Sequence, residues 1–301
     1  MGRAISGLRT LVERWAGNQP HRLRAGGALI TVLVVTGSSG LGWLLERLLV
    51  SSSPLPLPMA AILLVLALAS ALAARSLRDS VLAVVQALPD LESAREKLNW
   101  IVGRDVSELN QREILRASAE TASENAVDGL FAPLFWMLVG AGLWQAGFTQ
   151  LPGPLALAWG FKATSTIDSM LGYRHGSLRW LGTAGARLDD LLTWLPCRLV
   201  LVTLPLVSVS WKRWAATIEA AQRDGRPDPS PNAGLSEAIF AHCAGVRMGG
   251  LNRYGENWIQ KPLLSAHSQP ATAASVRTVL NLGLRLEFTW LVLATGWLML
   301  Q

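Results

Sequence analysis

The sequence predicts an all-α, polytopic integral membrane protein with cytoplasmic helical segments. Three observations point there. Charged residues make up 16% of the chain, against about 25% in an ordinary soluble domain. Hydrophobic residues make up 50%, and mean hydropathy is +0.31. The apolar excess is gathered into runs free of Asp, Glu, Lys and Arg, over 25–45, 48–74 and 130–161. A helix needs about 20 apolar residues to cross a bilayer core. A disordered chain, a disulfide-rich secreted module and an ordinary soluble enzyme are all excluded.

Residues 1–74 read as an N-terminal arm and a first membrane hairpin. The arm is basic, with Arg3, Arg9, Arg14, Arg22 and Arg24 against Glu13, and shows no signal-peptide pattern. Ser51-Ser52-Ser53-Pro54-Leu55-Pro56 is the expected turn between the two runs. The arm's arginines and Arg75 and Arg78 at the exit place both ends in the cytoplasm. Residues 75–129 form a cytoplasmic helical segment. Asp90 is the expected N-cap of a helix running to Trp100, Val102-Gly103-Arg104-Asp105 is a turn, and a second helix runs from roughly Asn110 to Asn125.

Residues 130–171 read as a second hairpin, turned by Pro152-Gly153-Pro154. Residues 172–276 are polar loops around a broken helix, 191–211, interrupted by Pro196, Arg198 and Pro205. That segment is expected to make no net crossing, because Lys212, Arg213, Arg223 and Arg226 follow it. A terminal membrane helix over 277–301 carries Arg285 and Glu287. The whole chain reads as a single membrane domain.

The net charge is +6. Basic flanks of membrane spans explain it, and no dense basic run with interleaved aromatics suggests a nucleic-acid partner. Cys197 and Cys243 fit no metal or redox spacing and read as free thiols. No P-loop, Gly-x-Gly-x-x-Gly, His-Glu-x-x-His or Gly-x-Ser-x-Gly motif occurs, and the four histidines are scattered.

Chemistry concentrates in four places. Glu120, Glu124 and Asp128 recur every fourth residue, on one helix face at the start of an apolar run. They are either a solvated face paired with arginines such as Arg116 or ligands for a divalent cation, and Mg²⁺ suits oxygen donors. Lys162, Thr164, Ser165, Thr166, Asp168 and Ser169 crowd a membrane boundary, either as a cap and turn or as a polar wall for a phosphorylated ligand. Ala186-Arg187-Leu188-Asp189-Asp190, with Pro196-Cys197-Arg198, offers Asp189 or Asp190 as the N-cap of the helix from Leu191. Ser230-Pro231-Asn232-Ala233-Gly234, Gly249-Gly250 and Tyr254-Gly255 are either plain turns or amide-rich loops for an anion.

Taken in order, these motifs resemble the cobalamin-biosynthesis family known as CobD or CbiB, the adenosylcobinamide-phosphate synthases. The carriers are Val102-Gly103-Arg104-Asp105, the run from Glu120 to Pro133, Thr166-Ile167-Asp168-Ser169-Met170 with Gly172-Tyr173, Ala186-Arg187-Leu188-Asp189-Asp190, Pro196-Cys197-Arg198 and Ser230-Pro231-Asn232-Ala233-Gly234. The chain departs from the pattern at Ser165 for Asn, Cys197 for Ala and Leu235 for Trp. It also begins after the short Gly-Asp-Pro and His-Pro segment with which family members tend to open.

The resemblance implies ATP-dependent amide ligation of adenosylcobyric acid with (R)-1-amino-2-propanol or its O-phosphate, with Mg²⁺ and ATP as cofactors. It implies catalytic roles for Glu120, Glu124, Asn125, Asp128, Asp168, Asp189 and Asp190, with Glu120, Glu124 and Asp128 holding metal. Substrate or phosphate contacts fall to Lys162, Thr166, Ser169, Arg187, Arg198, Ser230 and Asn232. The implied partners are the corrinoid, the amine, the lipid bilayer and other corrinoid-pathway membrane enzymes. The implied location is the bacterial inner membrane, with the site facing the cytoplasm. Two alternatives belong to other classes: a non-catalytic AmpE-like sensor or assembly protein, and a Mg²⁺-dependent membrane prenyl or alcohol-phosphate transferase.

Overall fold

The computed structural model describes residues 1–51, 56–173, 175–208 and 211–299. The expected turn at 51–56 lies largely outside them. The helices are α1 (Gly2–Ala16), α2 (Pro20–Glu46), α3 (Leu57–Ala69), α4 (Ala74–Ala87), α5 (Leu91–Asn99), α6 (Gln111–Ala126), α7 (Ala132–Gln145), α8 (Pro154–Leu171), α9 (Leu178–Leu181), α10 (Thr183–Val207), α11 (Trp214–Gly225), α12 (Ala233–Ala244) and α13 (Ala273–Met299). Two antiparallel strands, β1 (Met248–Tyr254) and β2 (Asn257–Leu264), are the exception to an all-helical chain. The chain divides into two compact units, each discontinuous in sequence: Met1–Leu72 with Ala132–Thr193, and Ala73–Phe131 with Trp194–Gln301.

Among the described residues, three helical stretches are long and apolar enough to cross a membrane: Pro20–Val50, Gln111–Gln145 and Thr183–Val207. The pair Leu57–Ala69 and Ala74–Ala87, bent by 45°, passes the same test only when taken together. This bears on four expectations. The second arm of the first hairpin is a short helix and a bent continuation, because Arg75, Arg78 and Asp79 enter its second half. The second hairpin is asymmetric: α7 prolongs α6 through a π-helical turn (Val127–Phe131), while α8, with Lys162, Asp168 and four hydroxyl side chains, is not among the apolar three. Residues 183–207 form one continuous helix with Pro196 and Pro205 inside it, not a broken one. A proline removes only its own N–H from the ladder, and long apolar helices accommodate that loss through their neighbours. α13 is a single helix with Arg285 and Glu287 in its length, and it too is not among the three.

In the first unit the core is formed by Ile5 and Ala16 of α1, Leu23, Ile30 and Val34 of α2, and Ala163, Ile167 and Leu171 of α8. α2 meets α8 at Gly42, where a Cβ would come within 2.8 Å of the Ala156 Cα. Small residues permit this close approach of two backbones. One turn further on, Glu46 is 1% exposed. Its carboxylate accepts from the backbone N–H groups of Gly153 (3.0 Å), Leu155 (2.6 Å) and Ala156 (3.3 Å). These donors belong to the unsatisfied first turn of α8, where the helix dipole also favours negative charge. Pro154, at N1, has no N–H to satisfy.

In the second unit α5 starts at an Asp90 N-cap, as expected, and α6 starts at a capping box formed by Asn110 and Glu113. Phe131 packs edge-on against Trp290 of α13 at 5.3 Å, and the Trp290 indole donates to Thr203 of α10 (3.2 Å). Asp224 of α11 holds His242 of α12 at 2.8 Å and accepts from the Ser265 amide at 3.1 Å.

Replacing Glu46 with Ala strands three buried amides, each costing about 1–3 kcal/mol. The thermal unfolding midpoint in lipid nanodiscs should fall clearly for Glu46→Ala. It should fall much less for Glu46→Gln, which keeps an acceptor oxygen.

Candidate functional site

The second unit contains a polar cleft of about 200 Å³. Its walls are the turn after α5 (Ile101 to Arg104), one face of α6 (Glu120, Thr121, Glu124, Asn125), Glu237 of α12, and Asn252, Tyr254 and Lys261 of the hairpin. The capping box fixes where α6 begins, and the helical repeat then sets Glu120 and Glu124 one turn apart on the face toward the cleft.

Glu120 is 4% exposed and carries the site's densest hydrogen bonding. One carboxylate oxygen pairs with Arg104, itself 7% exposed. The other accepts from Arg116 (3.2 Å) and from the Gly249 amide (2.8 Å). Arg104 also donates to the Asn252 amide oxygen. Arg116 reaches the carbonyl of Gly249 (2.6 Å) and Asn252 Oδ1 (3.0 Å). The hairpin can come this close because of a bulge at Gly249 and Gly250, both at positive φ. At Gly249 a side chain would collide with the Pro262 carbonyl. The Gly-Gly amide read from sequence as a possible anion holder does hold one: the anion is Glu120.

A second charge cluster lies on the same cleft. Lys261 Nζ is 3.1 Å from Glu237 and 3.5 Å from Asp228. Burial opposes the Lys261 charge, but Glu237, Glu124 and Asp228 outweigh it and its pKa is raised. Burial pushes Glu237 up to about 8; Lys261 opposes that shift, and Glu124 and Glu120 add to it.

The predicted residues divide between the units. Glu120, Glu124 and Asn125 line the cleft; Asp128 falls in the π-helical turn and does not. The three carboxylates therefore do not all face one cleft. Glu120 is occupied by two guanidinium groups and an amide, and Lys261 lies between Glu237 and Asp228. Among the described residues, no three His, Cys, Asp or Glu side chains are placed to hold a metal ion. The counter-charge missing from the local sequence comes from Arg104 and Lys261, far along the chain, and from Arg116 one turn back.

Ser230, Asn232 and Arg198 form a structural joint. The Ser230 hydroxyl accepts the amides of Asn232 (3.3 Å) and Ala233 (3.1 Å), capping α12. Arg198 donates to the Asn232 side chain and to the Pro231 carbonyl (2.9 Å), and it lies over the Trp194 ring at 4.6 Å. In the first unit, Thr166 and Ser169 return their hydroxyls to α8 carbonyls at Lys162 and Thr166. Arg187 is exposed. Asp189 is 9% exposed, close enough to Asp168 and Asp190 for their charges to act on it. Neither Asp189 nor Asp190 is an N-cap, because α10 already begins at Thr183. Glu237, Asn252 and Lys261 were not legible as site residues, since strand and helix contribute them more than a hundred positions after α6.

A carboxylate-rich cleft in a chain with membrane-crossing helices agrees with the comparisons. The CobD/Cbib protein model matches residues 1–283. The chain belongs to the CobD/CbiB family. The cobalamin biosynthesis protein CobD of Synechocystis sp. is 39% identical over 97% of this chain and 82% of its own length. The protein of that name from Klebsiella pneumoniae is 37% identical over 87% of this chain and 78% of its own length. The cobalamin biosynthesis protein CbiB of Salmonella typhimurium is 35% identical over the same shares. No solved structure matches.

Two outcomes follow. Removing Arg104 as Arg104→Met leaves a buried carboxylate short of a partner, a change that costs about 3–5 kcal/mol. It should lower the unfolding midpoint and raise hydrogen exchange over 249–252. Glu237 gives a pH dependence. The folded state keeps the Glu237 proton between its ordinary value of 4.5 and about 8. It therefore binds more protons than the unfolded chain in that window, and stability falls as pH rises through it. Unfolding midpoints measured across the window should show a shallower slope in Glu237→Gln than in the native chain.

Proposed function

We propose that this chain is an adenosylcobinamide-phosphate synthase of cobalamin biosynthesis. It joins a propionate side chain of adenosylcobyric acid to (R)-1-amino-2-propanol or its O-phosphate, forming an amide. The observation that carries this reading is the match to the family over nearly the whole chain, together with a polar cleft built from its Glu120 motif.

Amide formation requires an activated carboxyl and an amine that has lost its ammonium proton. ATP and Mg²⁺ belong to the proposal as the activating reagents. The expected requirement is for metal and nucleotide together, since Mg²⁺ is commonly held by one or two carboxylates and substrate phosphates. The residues contribute fixed charge: Lys261 and Arg104 are pre-oriented cations, and Glu124 faces the cleft as a carboxyl group whose pKa burial raises. Preset charges of this kind need no reorganisation during reaction. Asp168, Asp189 and Asp190 are proposed as a second set of acidic groups serving the same reaction. The chain acts in the bacterial inner membrane with its cleft facing the cytoplasm, where corrinoid and amine are supplied. Other corrinoid-pathway membrane enzymes are proposed neighbours.

Growth tests the function. A strain lacking the synthase and carrying this chain should grow on cobyric acid, while without the chain it should grow only on cobinamide. Glu124→Gln, Asp168→Asn and Asp190→Asn should each abolish growth on cobyric acid; normal growth in all three contradicts the assignment. Orientation has its own test. A cysteine at the exposed Arg226 (Arg226→Cys) should escape an impermeant thiol reagent in intact cells and react in inverted vesicles.

A further inference from the structure

We infer that the cleft of the second unit is the subsite for the small amine, and that Glu124 receives its ammonium group. The inference rests on the proposed amide ligation and adds where one of its two substrates binds.

Size is the first argument. The cleft holds about 200 Å³, below the roughly 300–1,000 Å³ of sites that enclose drug-sized ligands. A corrinoid or a nucleotide is larger than such ligands. A three-carbon amino alcohol fits.

Charge is the second argument. The cleft's cations make their direct contacts with other carboxylates, Arg104 with Glu120 and Lys261 with Glu237 and Asp228, and reach Glu124 only through longer-range attraction. Glu124 lines the cleft and forms no hydrogen bond or ion pair among the described residues. It therefore has acceptor oxygens to offer an incoming cation. Asn125 and Asn252 flank Glu124 with amide groups that suit the substrate's hydroxyl. Whether the bound molecule is the free amino alcohol or its phosphate ester, the recognised feature is the same ammonium.

Calorimetric titration of the full chain in lipid nanodiscs tests this. The probes are aminopropanol, its O-phosphate and 2-propanol, which lacks the amine. At least one of the two amines should bind the native chain, while 2-propanol should not. Loss of a charge-assisted hydrogen bond predicts binding weakened about 10- to 100-fold in Glu124→Gln. Glu124→Asp, which keeps the charge, should retain measurable affinity and controls for misfolding. In turnover, Glu124→Asp should raise the KM for the amine and leave the KM for the corrinoid unchanged. Amide formation with amine binding indifferent to Glu124→Gln overturns the subsite and leaves the ligation standing. Amine binding that depends on Glu124 in a chain that forms no amide overturns the ligation and leaves the subsite standing.

Discussion

The buried carboxylate of Glu120 is the constraint on which the functional unit depends. It takes Arg104 from the turn after α5, Arg116 from its own helix and the Gly249 amide from the hairpin. The turn after α5 and the hairpin are thereby pinned to one carboxyl group on α6. A buried ion pair of this kind adds little net stability over an apolar core, but losing one member leaves the other uncompensated in a poor solvent. The arrangement is therefore all-or-none. With the hairpin docked, Lys261 reaches Glu237 and Asp228 and the cleft is complete; without it, α6 would present bare carboxylates.

The first unit solves a similar problem without a counter-charge. Glu46 is buried against the first turn of α8, and three backbone amides satisfy it. Those amides would otherwise be orphaned at a helix end. Beside it, Gly42 lets α2 and α8 approach to backbone contact. This pairing of small residues with a buried acceptor suits a scaffold that has little water to hydrogen-bond its helix ends.

Local physics made much of this legible in advance. The Asp90 cap, the Asn110–Glu113 box and the start of the apolar runs depend on residues a few positions apart, and sequence reads such features directly. Pro196 and Pro205 misled, because proline's effect on a helix depends on what its neighbours supply, and neighbours are not in the local pattern. The hairpin was read as loops, since Gly249 and Gly250 look like a turn when they are a bulge inside a strand. The isolation of Glu120, Glu124 and Asp128 from positive charge suggested a metal site. The partners of Glu120 beyond its own helix, Arg104 and the Gly249 amide, are brought in by tertiary contacts that no spacing encodes. The ordered motifs indicated the family; they did not show that Ser230, Asn232 and Arg198 bond to one another.

The most direct measurement is a corrinoid mass determination. The purified chain in lipid nanodiscs is incubated with adenosylcobyric acid, aminopropanol or its phosphate, ATP and Mg²⁺. An amide ligase gives a corrinoid heavier by the amine less one water, in amounts that depend on each reagent and vanish in Glu124→Gln. A corrinoid of unchanged mass, from folded protein with every reagent present, contradicts the assignment.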